Sequence, residues 1–345
     1  MFRTSLIAVG VASLALTGGR VAAETQKPSA ISFATLTPSL SVASSGAIAD
    51  IPWSEHVYSA ATGEPVDVSV STSYPATEDI GQHWADFYAA LPHGRELERL
   101  KVYVAPLGQL QTVCGRSAVG CYGDDQLVQV NEAALGFSPE EVGRHEYGHH
   151  IALNRLNTPW PAFDWGPKRW ATAAKICARV RSSDAYPGDE SLLYRLNPGE
   201  AFAEAYRVLI DTKLGQADPP WPLVDESFYP DQSQLEAVEQ DVAAPWTGPT
   251  TTTFHPRLNR RSAWERRLST PLDGTMTIRV AAPSGADVRV ALLAGNGRKV
   301  LAARRSSRGV PFNVHAEVCG ERSVTALVSA VTSARRRIEV RVTVP

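Results

Sequence analysis

The chain is poor in sulfur and contains no long apolar run. Its 345 residues include four cysteines and two methionines, Met1 and Met276. No two cysteines form a C-x-x-C pair, which argues against cysteine-ligated zinc and dithiol redox motifs. The longest apolar stretch, from Leu6 to Leu16, is too short to span a bilayer. There is neither a hydrophobic tail nor a cysteine placed for lipidation. Formal net charge is only −2 and no nucleic-acid-binding motif is present, so the sequence offers no reason to expect a nucleic-acid partner.

Residues 1–23 have the pattern of a secretory signal. Arg3 lies in a short basic region, the apolar run follows, and Val21-Ala22-Ala23 supplies small residues for cleavage. The expectation is a secreted, extracellular protein with no membrane span. Cysteine usage agrees with export. Cys114 and Cys121 bracket a short glycine-containing loop, and an oxidising compartment favours a disulfide between them. Cys177 and Cys319 either bridge two parts of the chain or stay as buried thiols.

The most informative segment is His145-Glu146-Tyr147-Gly148-His149, an H-E-x-x-H. On a helix, residues four apart share a face, so the two imidazoles can grip one metal ion with Glu146 beside them. Start signals for that helix stand just upstream. Ser138 suits the N-cap, Pro139 the first turn and Glu141 a capping box, with Phe137 and Val142 spaced as a hydrophobic staple. Asn154 is placed to end it. A catalytic zinc needs a third protein ligand and an open position for water. Arg155 stands where a metzincin would carry its third histidine, and Met276 is the only methionine after Met1, so that arrangement is excluded. His150 lies about 100° around the helix from His149 and is expected to be a supporting or solvated residue, not a ligand.

A second helix is expected from Asn197 to Leu209, capped by Asn197, with Pro198 in the first turn and Glu200 closing a capping box. Glu200 and Glu204 share one face of it. Like charges at that spacing repel unless a cation or hydrogen bonds compensate. The expected assignment makes Glu200 the third metal ligand and Glu204 the carboxylate that orients a ligating histidine. The plain alternative is an acidic, solvated helix face, and Glu204 or Glu190 is the next carboxylate in line for the metal.

An H-E-x-x-H helix followed by a downstream Glu resembles the gluzincin pattern. The stretch Glu200-Ala201-Phe202-Ala203-Glu204-Ala205-Tyr206-Arg207 is similar to the third-ligand helix of lethal-factor-type metallopeptidases. Cys114-Gly115, Gly120-Cys121-Tyr122 and Gln126-Leu127-Val128-Gln129-Val130 resemble the strand region of the neutral zinc metallopeptidases. In those relatives that strand lies along the active-site cleft. The resemblance spans roughly residues 97–214 and implies an α+β zincin-like catalytic domain, with the active-site and third-ligand helices beside a small sheet. It leaves the oxyanion donor open; Tyr194 is the nearest candidate, and a buried aromatic is the alternative.

Residues 24–76 are rich in Ser, Thr and Ala and read as a lead, a pro-segment or strands added to the next domain. The metallopeptidase domain is expected over 77–247, with a helix near Thr77–Leu91 that places Ile80, Trp84, Phe87 and Tyr88 on one stripe. Lys101–Val104 is expected as a strand and Lys168–Arg181 as a helix. Trp160, Trp165 and Trp170 fit core and rim better than a carbohydrate platform. Residues 248–254 read as a linker, and 255–345 as an all-β sandwich, because Phe312, Val314, Ala316 and Val318 alternate with polar residues, as do Ile338, Val340, Val342 and Val344. That region resembles the pre-peptidase C-terminal domain of secreted peptidases, including Pro271-Leu272-Asp273-Gly274 and Cys319-Gly320.

Residues 255–345 carry 17 Arg and Lys against 6 Asp and Glu, a net +11, which leaves −13 for the rest. Such a domain suits an anionic cell-envelope polymer or docking on the acidic remainder; solvated arginines are the plain alternative. The functional expectation is a secreted zinc-dependent endopeptidase acting on peptide or protein substrates, with His145, His149 and Glu200 holding Zn²⁺ and Glu146 activating water. Two rivals stay open: an exported binding or adhesion protein with a structural or degenerate zinc site, and a hydrolase of non-peptide amides. An acid between the two histidines gives a structural site nothing, which favours catalysis.

Overall fold

A computed structural model of the chain describes residues 48–345 except 77–78, 217–220, 296, 298, 307–308 and 331–335. The expected signal at 1–23 and the lead up to 47 lie outside the described residues. The α+β part is built on a five-stranded sheet made of β1 (Trp53–Ser59), β2 (Pro65–Ser71), β3 (Lys101–Val104), β4 (Gly120–Gly123) and β5 (Gln126–Gln129), in the order β1-β2-β3-β5-β4. Strands β2, β3 and β5 are parallel, with Val68 opposite Val102 and Val102 opposite Leu127, while β1 and β4 run antiparallel at the two edges. Residues 53–71 are therefore strands of this sheet. The domain begins upstream of residue 77, because β2 hydrogen-bonds directly to β3.

Helix α1 (Ile80–Ala90) lays its apolar stripe on the sheet. Trp84 and Tyr88 are fully buried there, and their polar tips reach Asn131 Oδ1 at 2.9 Å and Gln129 Oε1 at 2.5 Å. Helix α2 (Leu107–Cys114) ends at the Cys114–Cys121 disulfide, which ties it to β4. Helix α3 (Pro139–Leu153) starts as its sequence dictates. Ser138 accepts from the Glu141 amide at 3.2 Å, Glu141 accepts from the Ser138 amide at 2.8 Å, and Asn154 is the C-cap.

Three short helices follow: α4 (Ala162–Trp165), α5 (Lys168–Ala173) and α6 (Ile176–Arg181). The single helix expected over 168–181 is broken at Lys175, whose φ of 57° cannot continue a right-handed helix. Helix α7 (Pro198–Lys213) packs along α3, and α8 (Gln232–Ala243) closes the layer. Trp170 is fully buried; Trp160 and Trp165 stack 4.7 Å apart and are half-buried.

The β part consists of two four-stranded antiparallel sheets. One has the order β11-β10-β13-β8, from β8 (Ala263–Ser269), β10 (Val288–Ala294), β11 (Val300–Ser306) and β13 (Ser323–Ala330). The other has the order β12-β9-β15-β6, from β6 (Thr250–Phe254), β9 (Gly274–Ala281), β12 (Phe312–Val318) and β15 (Glu339–Val344). A ribbon of β7 (Arg257–Leu258) and β14 (Arg336–Arg337) completes it. Inward-facing Ile278, Val290, Val314, Val328 and Val340 form its core, as the period of two in the sequence requires. The linker expected at 248–254 is corrected over its larger part. Residues 250–254 form β6 and pair with β15, so the threonine run fills an edge strand that β-branched residues suit.

The two cores belong to one compact unit. The Cys177–Cys319 disulfide joins α6 to the end of β12, and Arg181 pairs with Glu317 at 3.1 Å beside it. Thr172 Oγ1 accepts from the Asp273 amide at 3.0 Å, and Asp273 in turn accepts from the Gly320 amide at 2.9 Å. Because the disulfide closes a loop of 142 residues, the double variant Cys177→Ser/Cys319→Ser is expected to lose about 2–4 kcal/mol of unfolding free energy. Denaturant titration of the two proteins reads this directly. An unchanged midpoint would mean that the noncovalent contacts alone set the joint.

Candidate metal centre

Helices α3 and α7 bring the predicted ligands together because nothing larger than hydrogen separates them at Gly148. A Cβ added there would lie 2.7 Å from Ala203 Cα and 3.0 Å from its carbonyl oxygen. That close approach sets the His145–His149 face of α3 against the Glu200–Glu204 face of α7. On the other side of α3, β4 is admitted by Gly120, whose added Cβ would lie 2.5 Å from Val142 Cγ1 and 2.9 Å from Glu146 Oε1.

The donors converge. His145 Nε2 lies 3.3 Å and His149 Nε2 lies 3.5 Å from Glu200 Oε2, with His145, His149 and Glu200 all buried. Each residue offers a ligand atom, and these atoms lie within 4.8 Å of one another. Tetrahedral bonds of roughly 2.0–2.1 Å demand donor–donor spacings of about 3.4 Å. Among the described residues, neither ring nitrogen of His149 has a hydrogen-bond partner, nor does Glu146 Oε2. Buried polar atoms without partners are uncommon, and a shared cation would account for Nε2 of His149, the nitrogen that faces Glu200. Two imidazoles and one carboxylate thus form a group that could hold a metal ion.

Aromatic rings hold the imidazoles in place. Trp221 stacks on His145 at 5.4 Å and 27°, while Tyr122 lies parallel to His149 at 6.5 Å and 11°. Phe163 sits 5.8 Å from His149. Glu204 is the expected orienting carboxylate, and its Oε2 lies 3.5 Å from His145 Nδ1, at the outer edge of a hydrogen bond. It also accepts from Arg207 Nε at 3.0 Å, from Arg207 Nη2 at 2.8 Å and from the Trp221 amide at 2.6 Å. Glu204 thus anchors a buried network and faces the histidine, whose Nδ1 has no hydrogen-bond partner among the described residues.

Two expectations are corrected, and of the two places open to His150 the solvated one falls away. Glu200 does not close a capping box with Asn197. Asn197 caps α7 through the Gly199 amide at 3.0 Å, and the Glu200 carboxylate is turned to the histidines. His150 is not solvated. It is buried, bridging Tyr122 Oη at 2.9 Å and the Glu96 carbonyl at 2.8 Å. Glu190 lies at Asn197 Nδ2, 3.1 Å away, and is not part of the donor cluster. Tyr194 is indeed buried, and its hydroxyl donates to Glu200 Oε2 at 2.5 Å.

Burial and neighbouring charge shape the titration of the cluster. Burial pushes Glu146 up to about 7, with Glu200 adding to the rise and the two histidines opposing it. Burial works against ionised Glu200, yet His149 and His145 hold it well below the usual carboxylate range. For His145, burial favours the neutral ring, but Glu200 and Glu204 outweigh it and raise the imidazole to about 10. A cation between these groups would draw Glu146 back toward its ionised form.

Arg207, Trp221, Tyr122 and Phe163 were not singled out in the sequence. Arg207 had a signal, since it stands three residues after Glu204 and four before Asp211, the spacing of helical ion pairs. Trp221 had none, because only tertiary folding brings it to His145.

The Gly148–Ala203 contact yields a direct test. Gly148→Ala is expected to push α7 away, lower stability by about 1–3 kcal/mol and weaken metal affinity at least tenfold. Thermal unfolding with and without added metal, together with metal titration, checks both effects. Unchanged affinity would show that the helix spacing does not control the donor set.

No family model matches the chain, and no curated protein matches it in sequence. Among solved structures, the chain is similar to the Yersinia pseudotuberculosis-derived mitogen over 28% of its own length and 87% of the mitogen's, at 13% identity and a TM-score of 0.22. PirA matches over 27% of this chain and 92% of its own, at 9% identity and a TM-score of 0.21. The SPBc2 prophage-derived protein YomS matches over 28% and 96%, at 17% identity and a TM-score of 0.20. At these scores none of the three carries an argument about the fold or the function of this chain.

Proposed function

We propose that the protein is an exported zinc-dependent endopeptidase whose α+β part is zincin-like. The observation that carries this reading is the meeting of His145, His149 and Glu200 around one point, with an unpartnered Glu146 carboxylate oxygen buried on the same helix. Two imidazoles and one carboxylate suit zinc and leave one position open in a four-coordinate site. Zinc bound there supplies Lewis acidity toward a peptide carbonyl and acidifies a water.

The residues of the chain do the remaining work. Glu146 takes a proton from the attacking water and returns it to the departing amine. Glu204, steadied by Arg207, holds the His145 ring in one orientation. Tyr194 fixes the Glu200 carboxylate through its hydroxyl. The N-terminal signal pattern and the two disulfides support export. Among the described residues, no helix is long and apolar enough to cross a membrane.

One observation favours the rival reading, an exported binding protein with a structural metal. His145, Glu146, His149 and Glu200 are all at most 1% exposed, beneath Trp221, Tyr122 and Phe163. Catalysis requires these covering rings to move; a structural site does not.

Three proteins separate the readings. The wild type is expected to carry one zinc per chain and to cleave a proteome-derived peptide library, with cleavage abolished by a chelator. Glu146→Gln should retain zinc and lose nearly all hydrolysis. Glu200→Ala should lose the zinc, because two histidines alone leave the site under-coordinated. Wild-type protein that is loaded with zinc and inert toward the library contradicts the peptidase, as does near-normal turnover by Glu146→Gln.

A further inference from the structure

The carboxylates of the β part are nearly all occupied. Asp273 pairs with Arg322, Asp287 with Arg305, Glu317 with Arg181, Glu321 with Lys299 and Glu339 with Arg341. Of the six acidic residues in 255–345, only Glu265 makes no ion pair among the described residues. The surplus arginines therefore have only Glu265 left as a carboxylate within their own region.

The fold gathers many of them on one margin. Strands β6 and β8 are edge strands of the two sheets, and Arg266 of β8 lies over the Phe254 ring of β6 at 5.7 Å, so the two edges face each other. Between them in sequence run β7 and a turn carrying Arg260 and Arg261. Strand β14, some 80 residues later, pairs back onto β7 and sets Arg337 opposite Arg257. Arg257, Arg260, Arg261, Arg266 and Arg337 are all exposed. Directly opposed like charges on antiparallel strands are destabilising, their Cβ atoms being roughly 5 Å apart. The chain nevertheless holds two guanidinium groups in that position, and neither makes an ion pair among the described residues.

We propose that this margin is a docking surface for an acidic polysaccharide. Guanidinium groups match carboxylate and sulfate in planar, paired hydrogen bonds. Spread over a ribbon, a turn and an edge strand, they fit a repeating charge better than a single ion. The aromatic residues of the margin, Phe254 and Trp264, are half-buried and pack against one another at 5.1 Å, with Arg266 over the Phe254 ring, so the exposed charge of the margin is carried by its guanidinium groups. The occupant is thus a flexible polyanion recognised by its charge, and binding holds the acidic α+β part close to a surface coated with that polymer. This inference is independent of the catalytic reading.

The test uses the full-length protein and two polysaccharide probes, polygalacturonate for carboxylate and heparin for sulfate, with neutral dextran and duplex DNA as comparisons. Binding to at least one acidic polysaccharide, weakening steeply with salt, is expected. The triple variant Arg257→Ser/Arg261→Ser/Arg337→Ser should lose at least tenfold in affinity and a corresponding part of the salt dependence. Arg289→Ser, an exposed change on β10 away from the margin, should bind as the wild type does. Circular dichroism and the thermal midpoint establish that each variant is folded. Undiminished binding by the triple variant, an equal loss in Arg289→Ser, a preference for DNA over both polysaccharides, or no polysaccharide binding at low salt would each overturn the proposal.

Discussion

The candidate centre depends on how closely two helices cross. Its donors come from α3 and α7, and side chains of fixed length can meet around one point only if the helix axes are near enough. Gly148 against Ala203 provides that closeness. On either side of the contact, the interface is filled with charge. Arg144 reaches across to Asp211 at 2.5 Å, Arg207 joins Asp211 to Glu204, and Glu204 faces His145. Removing any one member would leave a buried partner uncompensated, so the network resists sliding or rotation of one helix along the other. The geometry at the histidines is thereby held from a full turn away.

The same network accounts for the stacking of Trp221. Its amide donates to Glu204, and its ring lies between His145 at 5.4 Å and the Arg207 guanidinium at 4.8 Å. One residue downstream of α7 thus covers a metal-ligand candidate and steadies the cation behind it. With Tyr122 and Phe163 on the other imidazole, the centre is enclosed by rings that exclude water and strengthen electrostatic interactions within.

Local signals in the sequence were legible where local physics decides the outcome. The start of α3 follows from Ser138, Pro139 and Glu141, because the capping hydrogen bonds join neighbours in sequence. The Glu200–Glu204 pair could be singled out because stacked carboxylates call for compensation, and the histidines of α3 together with Arg207 supply it. The same reasoning failed for the Glu200 capping box, where a stronger partner 55 residues away in sequence drew the carboxylate off the helix start. It left His150 between a supporting and a solvated place, because its burial depends on Tyr122 and Glu96. The threonine run at 250–253 looked like a linker because its partner strand lies about 90 residues later, and the β7–β14 pairing was hidden for the same reason. Contacts made across such separations leave no periodicity to read.

The most direct test of the account is to locate the metal itself. Crystals of the full-length protein grown with zinc, measured on both sides of the zinc absorption edge, would show where an ion binds. The account predicts one anomalous peak per chain, within about 2.0–2.2 Å of a nitrogen of His145, a nitrogen of His149 and an oxygen of Glu200. No peak there, or a peak coordinated without Glu200, would contradict it.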